Sequence, residues 1–184
     1  MHRLQIEVKP VTITTKLRIT FLSRATKHRQ VMNEDELIKK ISLNKEYDVQ
    51  KVSYGRNISF RDQLSITRNT DIFIGMHGAG LTHLLFLPKW ATLFEIYNCE
   101  DSNCYKDLAR LRGVNYITWE DDELLHEEGE GSHPESGAKH AKFTNYSFNS
   151  NEFVRLVDKA AKSVKLHPSY IESIEESQTS HDEL

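Results

Sequence analysis

Five short apolar runs alternate with amphipathic segments along the chain, and this alternation is the strongest constraint on its fold. The run at 71–75 (DIFIG) is apolar without interruption, as expected of a parallel strand that is buried on both faces. Further strands are predicted at 17–22, 47–52, 92–97 and 114–119, with helices between them. Such alternation predicts a parallel sheet covered by helices on both faces. The predicted fold class is therefore α/β, with a parallel-sheet, Rossmann-like domain.

Capping and stop signals mark several of the intervening helices. Asn33 and Glu36 have the spacing of a capping box, and Ser59 with Asp62 predicts the start of a second helix. The glycine-containing stretch after the third strand predicts a turn into a helix that Pro88 stops.

The chain divides into three predicted parts. Residues 1–15 are predicted to be an N-terminal remnant that does not fold by itself, and residues 16–168 to be the Rossmann-like domain. Residues 169–184 are predicted to be a solvated acidic tail. Within the domain, 120–142 is rich in Gly, His and acidic residues and is predicted to be a long loop, whereas 152–164 has helical apolar spacing.

Charge and hydropathy argue against a nucleic-acid-binding protein and against a membrane-spanning one. A formal net charge of -3 argues against a general nucleic-acid-binding protein. No apolar run approaches the roughly 18 residues that a membrane-spanning helix needs, so no membrane span is predicted. The first ten residues contain no long apolar segment, so no secretory signal is predicted there.

The residues that follow the strands are the candidates for a binding site, because ligands of such sheets lie at the carboxyl ends of the strands. Arg24 follows the first strand, and a cluster containing Gly78, Ala79 and Gly80 follows the third, directly after His77. A glycine-rich turn at a helix N-terminus suits an anion such as phosphate. The same pattern is equally typical of a tight strand–helix turn. The first strand–helix turn has no glycine, which disfavours NAD or FAD.

Glu95 lies within the apolar fourth strand, between Phe94 and Ile96. One interpretation is an ion pair with Arg110 or Arg112; another is an acceptor for the hydroxyl groups of a ribose. The residues alone leave these two alternatives open.

The histidines do not predict a metal site. His77 and His83 are six residues apart and do not share a helical face. The loop histidines lack a fourth ligand and a rigid frame, so no bound metal is predicted. These loop residues are His126, His133 and His140.

The last four residues read HDEL, which is an address for retrieval to the endoplasmic reticulum. The four residues are His181, Asp182, Glu183 and Leu184. In an oxidising lumen, Cys99 and Cys104 are predicted to form a disulfide. Two glycosylation sequons begin at Asn57 and Asn145, which agrees with exposure to the lumen.

The sequence from about residue 16 to the end resembles glycosyltransferase family 61. The resemblance is most specific at 71–87, at 97–112, at 142–146 (KFTNY) and at the terminal HDEL. It implies the C-terminal, donor-binding half of a GT-B-type enzyme of the endoplasmic reticulum lumen. The chain departs from the family in its length and in the acidic stretch at 121–130.

The resemblance also implies the reaction and its participants. Within the family, the chain resembles members that transfer N-acetylglucosamine from UDP-GlcNAc to Ser or Thr of EGF-like domains, with inversion. The implied donor-binding residues are Arg24, His77, Gly78, Ala79, Gly80 and Glu95. No cofactor is implied, dependence on a divalent metal is left open, and the base is expected from a missing half. The other implied partner is the retrieval receptor that binds HDEL.

Two alternative functions remain open from the sequence. One is a binding or quality-control module of the endoplasmic reticulum without transfer activity. The other is a truncated, inactive product. Even if the assignment to a transferase is right, we expect the isolated chain to bind the donor weakly and to transfer nothing.

Overall fold

A computed structural model describes residues 16–129, 131–133 and 135–182 of the chain. The predicted remnant at 1–15 lies outside these residues, as do Glu183 and Leu184 of the terminal tetrapeptide. The strands and helices, in chain order, are β1 (Leu17–Leu22), α1 (Glu34–Ile41), β2 (Tyr47–Val52), α2 (Phe60–Arg68), β3 (Ile72–Gly75), β4 (Thr92–Glu95), α3 (Cys104–Arg112), β5 (Asn115–Thr118), β6 (Leu125–Glu128), β7 (Asn145–Phe148), α4 (Ser150–Lys165) and α5 (Pro168–Asp182).

The first five strands form one sheet in the order β2-β1-β3-β4-β5, and every neighbouring pair is parallel. The prediction of an α/β fold with a Rossmann-like parallel sheet is confirmed. All four residues of β3 are buried, as the uninterrupted apolar run predicts for a central strand. The two strands after β3 are shorter in the structure than predicted, and both lie within the predicted ranges.

Helices cover both faces of this sheet. Helices α1 and α4 contact each other, and α4 also packs on β3, β4 and β5. On the other face, α2 and α3 pack against a 3₁₀ helix at Ala79–Phe86. Each face has its own apolar core, so the sheet is the central layer of three.

The helix predicted after β3 is a 3₁₀ helix rather than an α-helix. Leu81, Leu84 and Leu87 have 0% exposure, and their spacing of three residues matches the three residues per turn of this helix type. Ser59 caps α2 as predicted, since its Oγ accepts a hydrogen bond from the amide of Asp62 at 3.2 Å.

The predicted loop at 120–142 contains a strand that the sequence did not reveal. Strand β6 pairs antiparallel with β7, and β7 bonds to the segment that precedes α1. The side chain of Asn33 bonds both the amide and the carbonyl of Phe148 in β7, at 3.1 and 2.9 Å. Asn33 makes no side-chain cap for α1, so it ties β7 to the domain instead of completing a capping box.

The predicted acidic tail also differs in the structure, where α5 runs from Pro168 to Asp182. Tyr170 is 4% exposed, and its ring lies 6.0 Å from that of Trp90. The packing of the domain therefore continues past residue 168. Across the described parts of the chain, no helix is both long enough and apolar enough to cross a membrane.

Candidate donor-binding site

The order β2-β1-β3-β4-β5 places a topological switch point between β1 and β3, because the chain leaves these neighbours in opposite directions. A crevice at such a point is the usual ligand site of an open parallel sheet. Leu22 at the end of β1 pairs with Gly75 at the end of β3, so the segments that follow both strands meet at one edge. The predicted residues Arg24, His77 and Gly78 lie in these segments.

Arg24 lies directly over the turn that follows β3. Its Nη1 donates to the carbonyl oxygen of His77 at 3.0 Å. A Cβ at Gly78 would lie 2.0 Å from that nitrogen, and Gly78 has φ +153°, so the close approach requires glycine. None of the described hydrogen bonds is donated by the backbone N–H groups of Gly78, Ala79 or Gly80. The turn therefore presents backbone donors next to a guanidinium.

Arg29 is a site residue that the sequence analysis noted only as part of a basic run. Its Nη1 donates to the same carbonyl of His77 at 3.1 Å, and its buried Nε has no hydrogen-bond partner within the described part of the chain. Its backbone lies in the left-handed region, with φ +59°, which is uncommon for a residue other than glycine. Arg29 is thus held in a strained conformation next to Arg24.

The two guanidinium groups repel each other. The pKa of Arg24 is lowered, first by burial and then by the charge of Arg29. Among the described residues, neither arginine forms an ion pair with a carboxylate. Arg24 and Arg29 are partly buried like charges, and the Nε donor of Arg29 is unused. An anion bound between the two guanidinium groups would stabilise both.

Glu95 does not face the cleft. It is 0% exposed, its Oε1 lies 2.8 Å from Nδ1 of His77, and its Oε2 accepts from the hydroxyl of Tyr116 at 2.6 Å. Both oxygens are engaged inside the protein, so this geometry does not fit the ribose contact expected from the sequence. The alternative partners Arg110 and Arg112 are engaged elsewhere, with Asp107 and with backbone carbonyls respectively. Glu95 instead orients the ring of His77.

A second charged pair lies on the other side of His77. Asp101 accepts from Lys142 at 3.1 Å, and its carboxylate lies 3.7 Å from Nε2 of His77. The ion pair with Lys142 lowers the pKa of Asp101. Cys99 and Glu100, which precede it, have φ +51° and +67°, so the segment after β4 is strained where it presents the carboxylate. The spacing in the sequence gave no signal for the Asp101–Lys142 contact.

A cleft of about 240 Å³ opens beside Arg24, toward β2. Its lining includes the apolar side chains of Leu22, Tyr54 and Met76 together with serine and threonine residues. A Cβ on Gly80 would lie 2.7 Å from Leu22, so the floor of the cleft is closely packed.

The remaining predictions concern a disulfide, two glycosylation sequons and a metal site. Cys99 and Cys104 are free thiols, so the predicted disulfide is not formed in this structure. Cys99 is fully buried in the core while Cys104 is exposed, which separates their environments. Asn57 is exposed, whereas Asn145 is half-buried and its Oδ1 accepts from the amide of Gln30 at 2.9 Å. In the described residues, no group of three His, Cys, Asp or Glu side chains could hold a metal ion.

The terminal tetrapeptide is described only in part. His181 and Asp182 form the backbone of the last turn of α5. The structure therefore does not test the retrieval signal.

Comparisons with known proteins identify one family and several relatives that share one name. The model of the family described as Glycosyltransferase 61 matches residues 1–94, which is half of the chain. A Drosophila melanogaster protein named EGF domain-specific O-linked N-acetylglucosamine transferase is 61% identical over 186 residues, covering 100% of this chain and 35% of that protein. Proteins of the same name from Mus musculus and Rattus norvegicus are 52% and 50% identical, covering 92% and 100% of this chain and 32% and 34% of their own lengths.

The chain spans about a third of the length of these curated relatives. Among solved structures, CapF with the inhibitor 3-isopropenyl-tropolone matches with a TM-score of 0.40 and 12% identity, over 55% of this chain and 30% of that chain.

Proposed function

This chain belongs to glycosyltransferase family 61, and we propose that it forms the donor-binding half of a GT-B-type enzyme. The proposed reaction transfers N-acetylglucosamine from UDP-GlcNAc to a Ser or Thr hydroxyl of an EGF-like domain, with inversion at the transferred carbon. The named relatives support both the transferred sugar and the EGF-like acceptor.

One observation carries the donor-binding role: Arg24 and Arg29 converge on the carbonyl of His77 at the switch point, and neither has a carboxylate partner among the described residues. A diphosphate bound there would receive charge-assisted hydrogen bonds from both guanidinium groups. The N–H groups of Gly78, Ala79 and Gly80 would add backbone donors.

These residues stabilise the leaving group in the proposed mechanism. Negative charge develops on the diphosphate as the bond to the sugar breaks, and fixed cations and N–H groups are most effective when they are already aimed at it. His77, which Glu95 holds in place, would lie beside the same group. We assign no general base to this chain, and we expect the base and the acceptor site to come from the remainder of the enzyme. The isolated chain should therefore bind UDP weakly and transfer nothing.

Titration of UDP into the purified chain, followed by amide chemical shifts, tests the donor site. We expect Arg24→Ala and Arg29→Ala each to weaken binding by about tenfold or more, since a hydrogen bond to a charged group contributes about 1.5 to 3 kcal/mol. The exposed neighbour Lys27 provides the control, because Lys27→Ala removes a charge from the same segment without removing a contact to His77. Equal loss of UDP affinity in all three variants would mean that UDP is held only by general electrostatic attraction. No shift at the Gly78–Gly80 amides in millimolar UDP would remove the donor-binding role.

We also propose that the protein resides in the lumen of the endoplasmic reticulum, with residues 181–184 as its retrieval signal. The terminal HDEL supports this proposal. Fused to a secretory signal, the chain should stay inside cells, and deleting the four residues should send it to the medium. Retention that survives this deletion would contradict the assigned role of HDEL.

A further inference from the structure

The segment that carries Arg29 is bonded to the start of β7. Val31 and Tyr146 form a parallel bridge between the two segments. The amide of Arg29 donates to the carbonyl oxygen of Thr144 at 2.8 Å, and the amide of Tyr146 donates to the carbonyl oxygen of Gln30 at 3.0 Å. The backbone before and after the Arg29 side chain is therefore held by the same neighbouring segment.

A third hydrogen bond between these segments comes from a side chain. Oδ1 of Asn145 accepts from the amide of Gln30 at 2.9 Å. Asn145 is itself presented from a fixed position, because the next residue, Tyr146, is 0% exposed and its hydroxyl donates to the carbonyl oxygen of Ala141 at 2.8 Å. Of the three bonds, only the one from Asn145 can be removed by a substitution without altering the backbone.

This bond lies next to a strained residue. Gln30 directly follows Arg29, whose φ of +59° is in the left-handed region. A residue other than glycine keeps such a conformation only when its surroundings hold it there. The guanidinium of Arg29 depends on that conformation, since its Nη1 donates to the carbonyl of His77 at 3.1 Å. The donors of a guanidinium form a rigid planar fork, so a change in the backbone at Arg29 would turn all of them away together.

We propose that Asn145 is a positioning residue for the anion site. Its amide oxygen holds Gln30, and Arg29 thereby keeps the backbone conformation that aims its guanidinium at a bound diphosphate. Asn145 acts through Arg29, because the oxygen that it contributes is already bonded to the protein backbone. The inference rests on the proposed donor-binding function and assigns β7 a part in it.

A double-mutant cycle on the full chain tests this role, with inorganic pyrophosphate and UDP as probes in calorimetric titrations. We expect Asn145→Ala to weaken both ligands by about threefold or more, and by no more than Arg29→Ala does, since it can remove only what Arg29 contributes. In the Arg29→Ala background, Asn145→Ala should change either affinity by less than about twofold. Asn145→Ser, which keeps a shorter oxygen acceptor, should give an intermediate loss and serves as the test if the alanine variant does not fold.

Asn33→Ala is the matched control. The side chain of Asn33 also ties the segment before α1 to β7, through two hydrogen bonds with the backbone of Phe148, but it lies at the other end of the strand from Asn145. We expect both alanine variants to lower the urea midpoint. Asn33→Ala should leave pyrophosphate affinity within about twofold of the parent chain, because the contacts around Arg29 remain.

The outcomes separate the inference from the function on which it rests. Equal losses of affinity in Asn145→Ala and Asn33→Ala would mean general loosening of β7 and would overturn the positioning role. A loss that persists in the Arg29→Ala background would also overturn it, because Asn145 would then act independently of Arg29. Unchanged affinity in Asn145→Ala, beside a clear loss in Arg29→Ala, would overturn the inference and leave the donor site standing. Failure of the parent chain to bind either probe would overturn both.

Discussion

Glu95 is a fully buried carboxylate, and its neighbours determine what its burial costs. A buried charge is tolerated only when it is paired and hydrogen-bonded, and Glu95 has His77 on one oxygen and Tyr116 on the other. Burial and the contact with Glu95 both raise the pKa of Tyr116, so its hydroxyl stays protonated and remains a donor.

We predict that His77→Ala destabilises the fold by about 3 kcal/mol, because it leaves a buried acid without its main partner. Urea unfolding measured by circular dichroism gives this free energy. Lys142→Ala is the comparison, since its partner Asp101 is partly exposed and solvent screens the pair, so the loss should be much smaller. Equal losses in the two variants would show that Glu95 does not depend on His77.

The two glycosylation sequons differ in accessibility. Asn57 is exposed in the turn before α2, whereas the side chain of Asn145 is half-buried and bonded to the amide of Gln30. We predict that the chain, when directed to the secretory pathway, carries a glycan at Asn57 and none at Asn145. Asn57→Gln should remove the whole mobility shift that an endoglycosidase removes, and Asn145→Gln should leave it unchanged. A glycan found at Asn145 by mass spectrometry would contradict this prediction.

Only part of the candidate site could be read from the sequence. Position after a strand was sufficient to select Arg24, His77 and the glycine turn. It was not sufficient for Glu95, because alternation along a strand does not say which neighbouring strand supplies the partner, and Tyr116 lies in β5. Arg29 was visible only as one charge in a basic run, since its strained backbone and unpaired Nε arise from tertiary packing.

At the level of secondary structure, Gly113 tests how a helix end is stabilised. It has φ +78° after α3, its amide bonds to the carbonyls of Ala109 and Arg110, and a Cβ there would meet nothing within 4 Å. Any loss in Gly113→Ala would therefore come from backbone strain and not from a clash.

We predict that Gly113→Ala lowers the free energy of unfolding by about 1 kcal/mol, the cost of a left-handed conformation for alanine. Gly55→Ala is the matched control, because its surroundings are equally open and its φ is not in the left-handed region. We expect that control to be neutral or to stabilise by up to about 1 kcal/mol through the unfolded chain. Urea midpoints of the two variants and the parent chain provide the comparison.

The apolar strands were predictable and the polar ones were not. Strands β1, β3 and β4 are almost wholly buried, whereas the edge strands β2 and β5 are largely exposed or half-buried. All five were predicted from their apolar and β-branched residues. Strand β6 (LHEE) is mostly exposed and acidic, so neither its composition nor its periodicity distinguishes it from a loop. Its pairing with β7 depends on tertiary contacts, and the side chain of Asn33, which directly precedes α1, bonds the backbone of Phe148 in β7.

For the whole molecule, buried thiol and phenol groups that stay protonated in the folded chain make the free energy of unfolding depend on alkaline pH. Burial raises the pKa of Cys99 to about 12, and it raises the pKa values of Tyr54 and Tyr105 to about 12 as well. Each group has a lower pKa in the unfolded chain, near its ordinary value for thiol or phenol. The unfolded chain therefore loses protons first as the pH rises, and unfolding becomes more favourable.

The stabilising contribution of these groups should be complete below about pH 8 and should be lost as the pH rises toward 12, beginning with Cys99 because a thiol has the lowest ordinary pKa. We predict that the urea midpoint falls steadily as the pH rises above about 8.5, because the unfolded chain then begins to lose these protons. Cys99→Ala should flatten the first part of this fall, between about pH 8.5 and 10, and leave the tyrosine-dependent part above it. Cys104→Ala is the comparison, because that thiol is exposed; burial also raises its pKa, but by less than for Cys99, so its removal should flatten the fall less. If Cys99→Ala and the parent chain lose stability in parallel over the whole range, Cys99 is not the group whose ionisation starts the loss.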